Sequence, residues 1–165
     1  MVTTANKGAR RGQWVLLAYR LPREPSSPRI TLWRKLRRIG ALQLLDGLVA
    51  LPLDPRNRER FEWIAEEVLE AGGEATIWLG ELASVGKERA LAAVMKDAVI
   101  SDYRRVIVEA EAAEAVAIGK RKRTLARLRR ELRRIRARDY FPSVEREAAE
   151  QAVETLAMLV EEPVG

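Results

Sequence analysis

The chain has 165 residues, with 30 Lys and Arg against 24 Asp and Glu, and it contains neither His nor Cys. That length suits one domain, or one small domain with a helical extension, and 47% hydrophobic with 33% charged residues suits a soluble globular protein. The absence of Cys excludes disulfides and thiol chemistry; the added absence of His removes the commonest general base and the usual zinc ligands.

Residues 1–12 read as a disordered basic tail, with no apolar core of the kind a secretory signal needs. No run of eighteen apolar residues follows anywhere, so no membrane span is expected and a cytoplasmic location is the default. QWVLLAYRLP, 13–22, is a short apolar run closed by Pro22, which predicts a strand. In the loop 23–28, Ser26 or Ser27 is placed to cap a helix and Pro28 fits its first turn. That helix runs to about Ile39. Ile30, Trp33 and Leu36, with Leu32 or Ile39, form its expected apolar stripe, and Gly40 ends it.

ALQLLDGLVALP, 41–52, is two apolar runs joined by Asp46-Gly47, a pair suited to a two-residue turn with positive φ. A hairpin of 41–45 and 48–52 is expected; the alternative is a single long buried strand. Asp54 then caps a helix with Phe61, Ile64, Ala65, Val68 and Leu69 on its buried face, stopped at Gly72-Gly73. The stretch 74–83 reads as a last strand. The order β-α-ββ-α-β predicts an α+β fold, a ferredoxin-like split βαβ domain over 13–83. A helical extension of about three helices, packed on that domain, is expected over 84–162.

In the extension, Leu91, Met95 and Val99 form one spaced series, and Val106, Ala110, Ala113 and Ala117 another, before Gly119 interrupts. Residues 120–138 then hold eleven of the thirty basic residues and one acid, Glu131, so this segment carries +10 and the remainder −4. Within it, Leu125, Leu128, Leu132 and Ile135 fall at spacings of 3, 4 and 3, one stripe of an amphipathic helix. Arg127, Arg130 and Arg134 line one flank of the stripe, and Arg129, Arg133 and Arg136 the other. The loop 139–142 leads to a final helix from about Ser143 to Val160, with Glu145 and Glu147 favouring its start.

A concentrated positive field of arginines suits phosphates, because the planar guanidinium donates in pairs. The competing reading is a paired face. Glu109, Glu111 and Glu114 lie on the helix before, and Glu145, Glu147, Glu150 and Glu154 on the helix after. Eleven cations against seven acids leave some unmatched. A second basic group, Arg29, Arg34, Arg37 and Arg38 with Lys35, lies on the first helix. Catalysis has little to rest on: there is no nucleophile–base pair and no glycine-rich phosphate loop, and Asp46 reads as a turn residue. Trp14, Trp33, Trp63 and Trp78 are expected in the core, leaving Tyr19 and Tyr140-Phe141 as the aromatic contact candidates.

Together these residues resemble the N-terminal domains of the chromate-resistance regulator ChrB. The resemblance rests on Leu21-Pro22, Ser26 with Arg29, Trp33-Arg34 with Leu36, Gly40-Ala41, Gly47, Leu51-Pro52 and Ala71-Gly72-Gly73 with Ala75. It continues in the basic helix, 125–138, and the turn at 139–142, so it covers about 13–160. Full-length members carry a further C-terminal domain, which this sequence stops short of, so a fragment or a free-standing relative is expected. The sheet pattern is also similar to the middle domain of the phenylacetate-pathway repressor PaaX and to small CRISPR-associated ferredoxin-like proteins, which dimerise. Those nucleases place an acid at the end of the first strand, where Tyr19-Arg20 stand here.

The resemblance implies a bacterial, chromate-responsive transcriptional regulator that binds promoter DNA; a homodimer is expected beside it, and the lack of His, Cys and a nucleophile–base pair leaves no enzyme activity, cofactor or metal expected. Nucleic-acid or oxyanion contacts are expected from Arg29, Arg34, Arg37 and Arg38, and from Lys120, Arg121, Lys122, Arg123, Arg127, Arg129, Arg130, Arg133 and Arg134. The alternatives are a module sensing chromate or sulfate, and a structural dimerisation domain without DNA contact.

Overall fold

The computed structural model describes residues 12–161; the expected tail lies outside them but for Gly12. The fold is α+β, with a four-stranded antiparallel sheet and five helices among the described residues. The first elements are β1 (Trp14–Arg20), α1 (Ser27–Arg38), β2 (Leu42–Leu45), β3 (Leu48–Pro52), α2 (Pro55–Glu70) and β4 (Glu74–Gly80). Then come α3 (Val85–Glu114), α4 (Ile118–Ala137) and α5 (Val144–Glu161). They form two compact units. One takes in the described residues through Arg37 together with Ala41–Leu91; the other takes in Arg38–Gly40 and the described residues from Ala92 onward.

In the first unit the strand order is β2-β3-β1-β4. β3 is antiparallel to both β1 and β2, so β1 and β2 run parallel with β3 between them. Alternation along β1 puts Val15 and Leu17 on one face, opposite Leu51 and Val49 of β3 and Leu79 and Ile77 of β4. α2 packs on β1 and β4, burying Phe61, Ile64 and Val68 at the helical spacing of one face. α1 adds Leu32 and Leu36, and its Lys35 bonds Glu67 of α2 at 2.6 Å.

Local chemistry explains where these elements stop. Asp54 caps α2 by accepting from the Asn57 amide at 2.7 Å, and the buried Asn57 side chain donates to the Pro52 carbonyl at 2.9 Å. The hairpin turns at Gly47, with φ +78°. Its carbonyl accepts from the Tyr19 amide at 2.8 Å, and a Cβ there would lie 2.4 Å from the Tyr19 carbonyl oxygen. Both backbone angle and space therefore require glycine.

The second unit is built on the apolar faces of α3, α4 and α5. Val99, Tyr103, Val106, Ala110 and Ala113 meet Leu125, Leu128, Leu132 and Ile135, and Ala149, Val153, Leu156 and Ala157 close the core. The fully buried Tyr103 keeps its polar end satisfied by donating to Asp139 Oδ2 at 2.8 Å. Arg138 pairs with Asp102, and Tyr140 donates to the Ile39 carbonyl at 2.5 Å.

Several expectations are corrected. Of the four tryptophans only Trp14 is core, at 3% exposure; Trp33, Trp63 and Trp78 are 51%, 66% and 61% exposed. α1 buries the narrow pair Leu32 and Leu36, which leaves Ile30 and Trp33 on its flank. Leu69 faces solvent one position past the buried Val68, and Trp78 sits on the edge strand β4. The break in the helical stretch falls at residues 115–117. Gly119 lies inside the first turn of α4, and Ala117 is exposed outside both helices.

Two outcomes follow from this packing. Gly47→Ala should destabilise the protein by about 1–3 kcal/mol in urea titration, since it combines an unfavourable φ with a clash against backbone; an unchanged midpoint would contradict the close turn. Burial, then the Asp139 hydrogen bond, raises the Tyr103 phenol well above its ordinary value of 10.0. The unfolded chain gives up this proton first, so the stability that Tyr103 contributes is intact below pH 10.0 and lost above it. Denaturant midpoints at about pH 8 and pH 11 should differ less for Tyr103→Phe than for the parent chain.

Candidate functional site

The positive field is α4. Its mean composition would not hold a helix by itself, because like charges one turn apart repel. The stripe of Leu125, Leu128, Leu132 and Ile135, all buried, fixes it in the core of the second unit. The basic side chains are thereby sorted by their angle around the helix.

Three of the six flanking arginines meet acidic partners. Arg127 pairs with Glu109 of α3. Arg136, on the other flank, pairs with Glu150 of α5 at 3.4 Å. Arg134 reaches Glu131 only at 3.9 Å and stays 72% exposed in its side chain, and Glu131 also pairs with Arg105. Arg121 has another task. Its guanidinium donates to the carbonyls of Glu114 and Val116, at 2.7 and 3.2 Å, and to Leu159 of α5 at 3.1 Å. It satisfies carbonyls at the end of α3, at a helix break with no glycine or proline to mark it.

Six cations remain. Lys120, Lys122, Arg123, Arg129, Arg130 and Arg133 are exposed, and among the described residues none has an ion-pair partner or a side-chain hydrogen bond. Lys122, Arg129 and Arg133 follow one another at spacings of 7 and 4, which is one row along the helix; Arg123, Arg130 and Arg134 form a second row beside it. At 1.5 Å per residue, the row from Lys122 to Arg133 spans about 16 Å. Of the seven acids expected to compete, only Glu109 and Glu150 reach basic side chains of α4, while Glu145 bonds Arg104 of α3 at 3.1 Å. Its carboxyl is held below the ordinary range first by a backbone hydrogen bond at the helix start, then by Arg104. Asp102 binds Arg105 and Arg138, a role its isolated position in sequence did not announce.

On α1, Arg29, Arg34, Arg37 and Arg38 are all exposed. The Arg37 guanidinium lies over the Trp33 ring, 4.8 Å from its centroid. Arg29, Arg34 and Arg37 belong to the first unit, and Arg38 to the second with α4. No cluster of acidic side chains able to hold a metal ion occurs among the described residues, and no helix there is long and apolar enough to cross a membrane. The arrangement offers an open comb of guanidinium and ammonium groups.

No curated protein and no solved structure matches the chain significantly. The model of one protein family does, described as Protein ChrB, N-terminal, and the match runs over residues 29–162. It takes in α1, the hairpin, α2, β4 and all three helices of the second unit, including the comb. The chain therefore belongs to the family of ChrB N-terminal domains.

Proposed function

We propose that this chain is a DNA-binding regulator domain in which the unpaired row of α4 contacts the phosphate backbone. Membership in the family suggests a chromate-resistance regulator domain. The observation that carries the DNA reading is the sorting of charge on α4: six exposed cations lack acidic partners among the described residues, while the stripe of the same helix is buried. A row of about 16 Å is long enough to reach more than one phosphate of a strand. Chromate or sulfate binding on the same arginines would call for donors converging on one point, whereas two rows along an open helix suit a linear polyanion. A purely paired face accounts for Arg127, Arg134, Arg136 and Arg138 and leaves these six without a role.

The β-α-ββ-α-β order, with β3 between parallel β1 and β2, supports reading the first unit as a ferredoxin-like split βαβ domain. A cytoplasmic homodimer completes the proposal, since a two-fold axis would present two basic helices to successive stretches of duplex. The role is one of binding, and no residue is assigned to catalysis.

Binding to duplex DNA across a salt series tests this. The Arg123→Ala, Arg129→Ala, Arg130→Ala and Arg133→Ala changes combined should lower the slope of log K against log salt by about 3–4, at roughly 0.9 per lost phosphate contact. Arg121→Ala should instead cost about 1–3 kcal/mol of stability by stripping three carbonyls of their donor, with the salt slope unchanged. A parent chain whose binding is flat in salt would rule the proposal out.

A further inference from the structure

The first unit contains an open groove of about 890 Å³, bounded by the end of β1, the first half of α1 and the β2–β3 turn. None of the α4 cations lines it. Its apolar side is Ile30, Leu32 and Trp33; Ile30 and Trp33 are about half exposed, at 48% and 51%. Two cations stand at the same groove, Arg23 and Arg29, and neither has an acidic partner among the described residues. A third, Arg20, is engaged by Glu74 at 2.6 Å. On the hairpin side are Gln43 and Asp46, which lie within 3.5 Å of one another.

Each group restricts what fits. An exposed indole beside an isoleucine leaves apolar surface in water that a flat ring would cover. Arg37 already lies over the Trp33 ring, a contact that helps to hold the indole in place. A tetrahedral oxyanion has no flat body and would leave the apolar side uncovered, and the volume is that of a small-molecule site. The two free guanidiniums suit a phosphate. The carboxylate of Asp46 opposes a long polyphosphate, while it and the Gln43 amide suit hydroxyl and amino donors. Tyr19 lines the groove between them, and its phenol is kept protonated, raised first by burial and then by Asp46. It offers one more donor.

We infer that this groove is a binding site for a nucleoside monophosphate, with the base against Trp33, the phosphate at Arg23 and Arg29, and sugar hydroxyls or base amino groups at Gln43 and Asp46. Such a site would make the domain responsive to a small ligand independently of the comb on α4.

Calorimetric titration of the whole chain with AMP, GMP, CMP and UMP tests the inference. At least one should bind with Kd below about 1 mM, and Arg29→Gln and Trp33→Ala should each weaken it about tenfold or more. Both side chains are exposed, so circular dichroism and thermal melting confirm that the variants fold. The Arg129→Ala, Arg130→Ala double variant should keep full nucleotide affinity whether or not the chain binds DNA. Absence of binding by all four nucleotides overturns the inference. So do groove variants that bind like the parent, loss of affinity in the α4 double variant, or sulfate competing as well as the nucleotide.

Discussion

The burial of four side chains on α4 is the constraint on which the second unit depends. Leu125, Leu128, Leu132 and Ile135 are the buried residues that offset the repulsion of a helix with eleven basic residues in or just beyond it. At about 1.5–3 kcal/mol for each fully buried side chain, the stripe contributes roughly 6–12 kcal/mol as an upper bound. Exposed ion pairs contribute far less, about 0–1 kcal/mol each. Hydrophobic docking therefore fixes the helix, and the charges take up whatever angles remain. Arg127 and Arg136 fall against acids of α3 and α5. Arg129, Arg130 and Arg133, on the same flanks, meet none among the described residues.

Much of this was legible because it depends on local chemistry. The Asp46-Gly47 turn, the Asp54 cap and the Leu/Ile stripe are each set by a few neighbouring residues, and each stands where the sequence puts it. The misreadings arise where a tertiary choice decides. Four tryptophans in apolar runs look alike in sequence, yet only Trp14 is enclosed, donating its indole N–H to Glu88 at 3.1 Å. The others flank or edge a small core that a few aliphatic side chains already fill. The break after α3, expected at Gly119, falls a few residues earlier for another reason. Arg121, in the first turn of the next helix, satisfies its carbonyls, and no breaker residue is needed at 115–117.

The division of the basic residues into paired and free was anticipated in kind but not residue by residue. Glu111, Glu114, Glu147 and Glu154 looked as suitable as Glu109 and Glu150 on charge alone. Which acid reaches α4 depends on the rotation of α3 and α5 about their own axes, and that is set by the packing of Tyr103, Val106, Ala149 and Val153. Asp102 and Asp139 likewise became structural anchors only once the chain turned back on itself after α4.

The chemistry of the comb has a consequence for how the protein can be controlled. Its free groups are guanidiniums with two ammoniums, and the chain contains no imidazole at all. The side chain that most readily changes its charge near neutral pH is therefore absent. Whatever weakens the comb's hold on a polyanion must compete with it, screen it or remodel the helix that carries it.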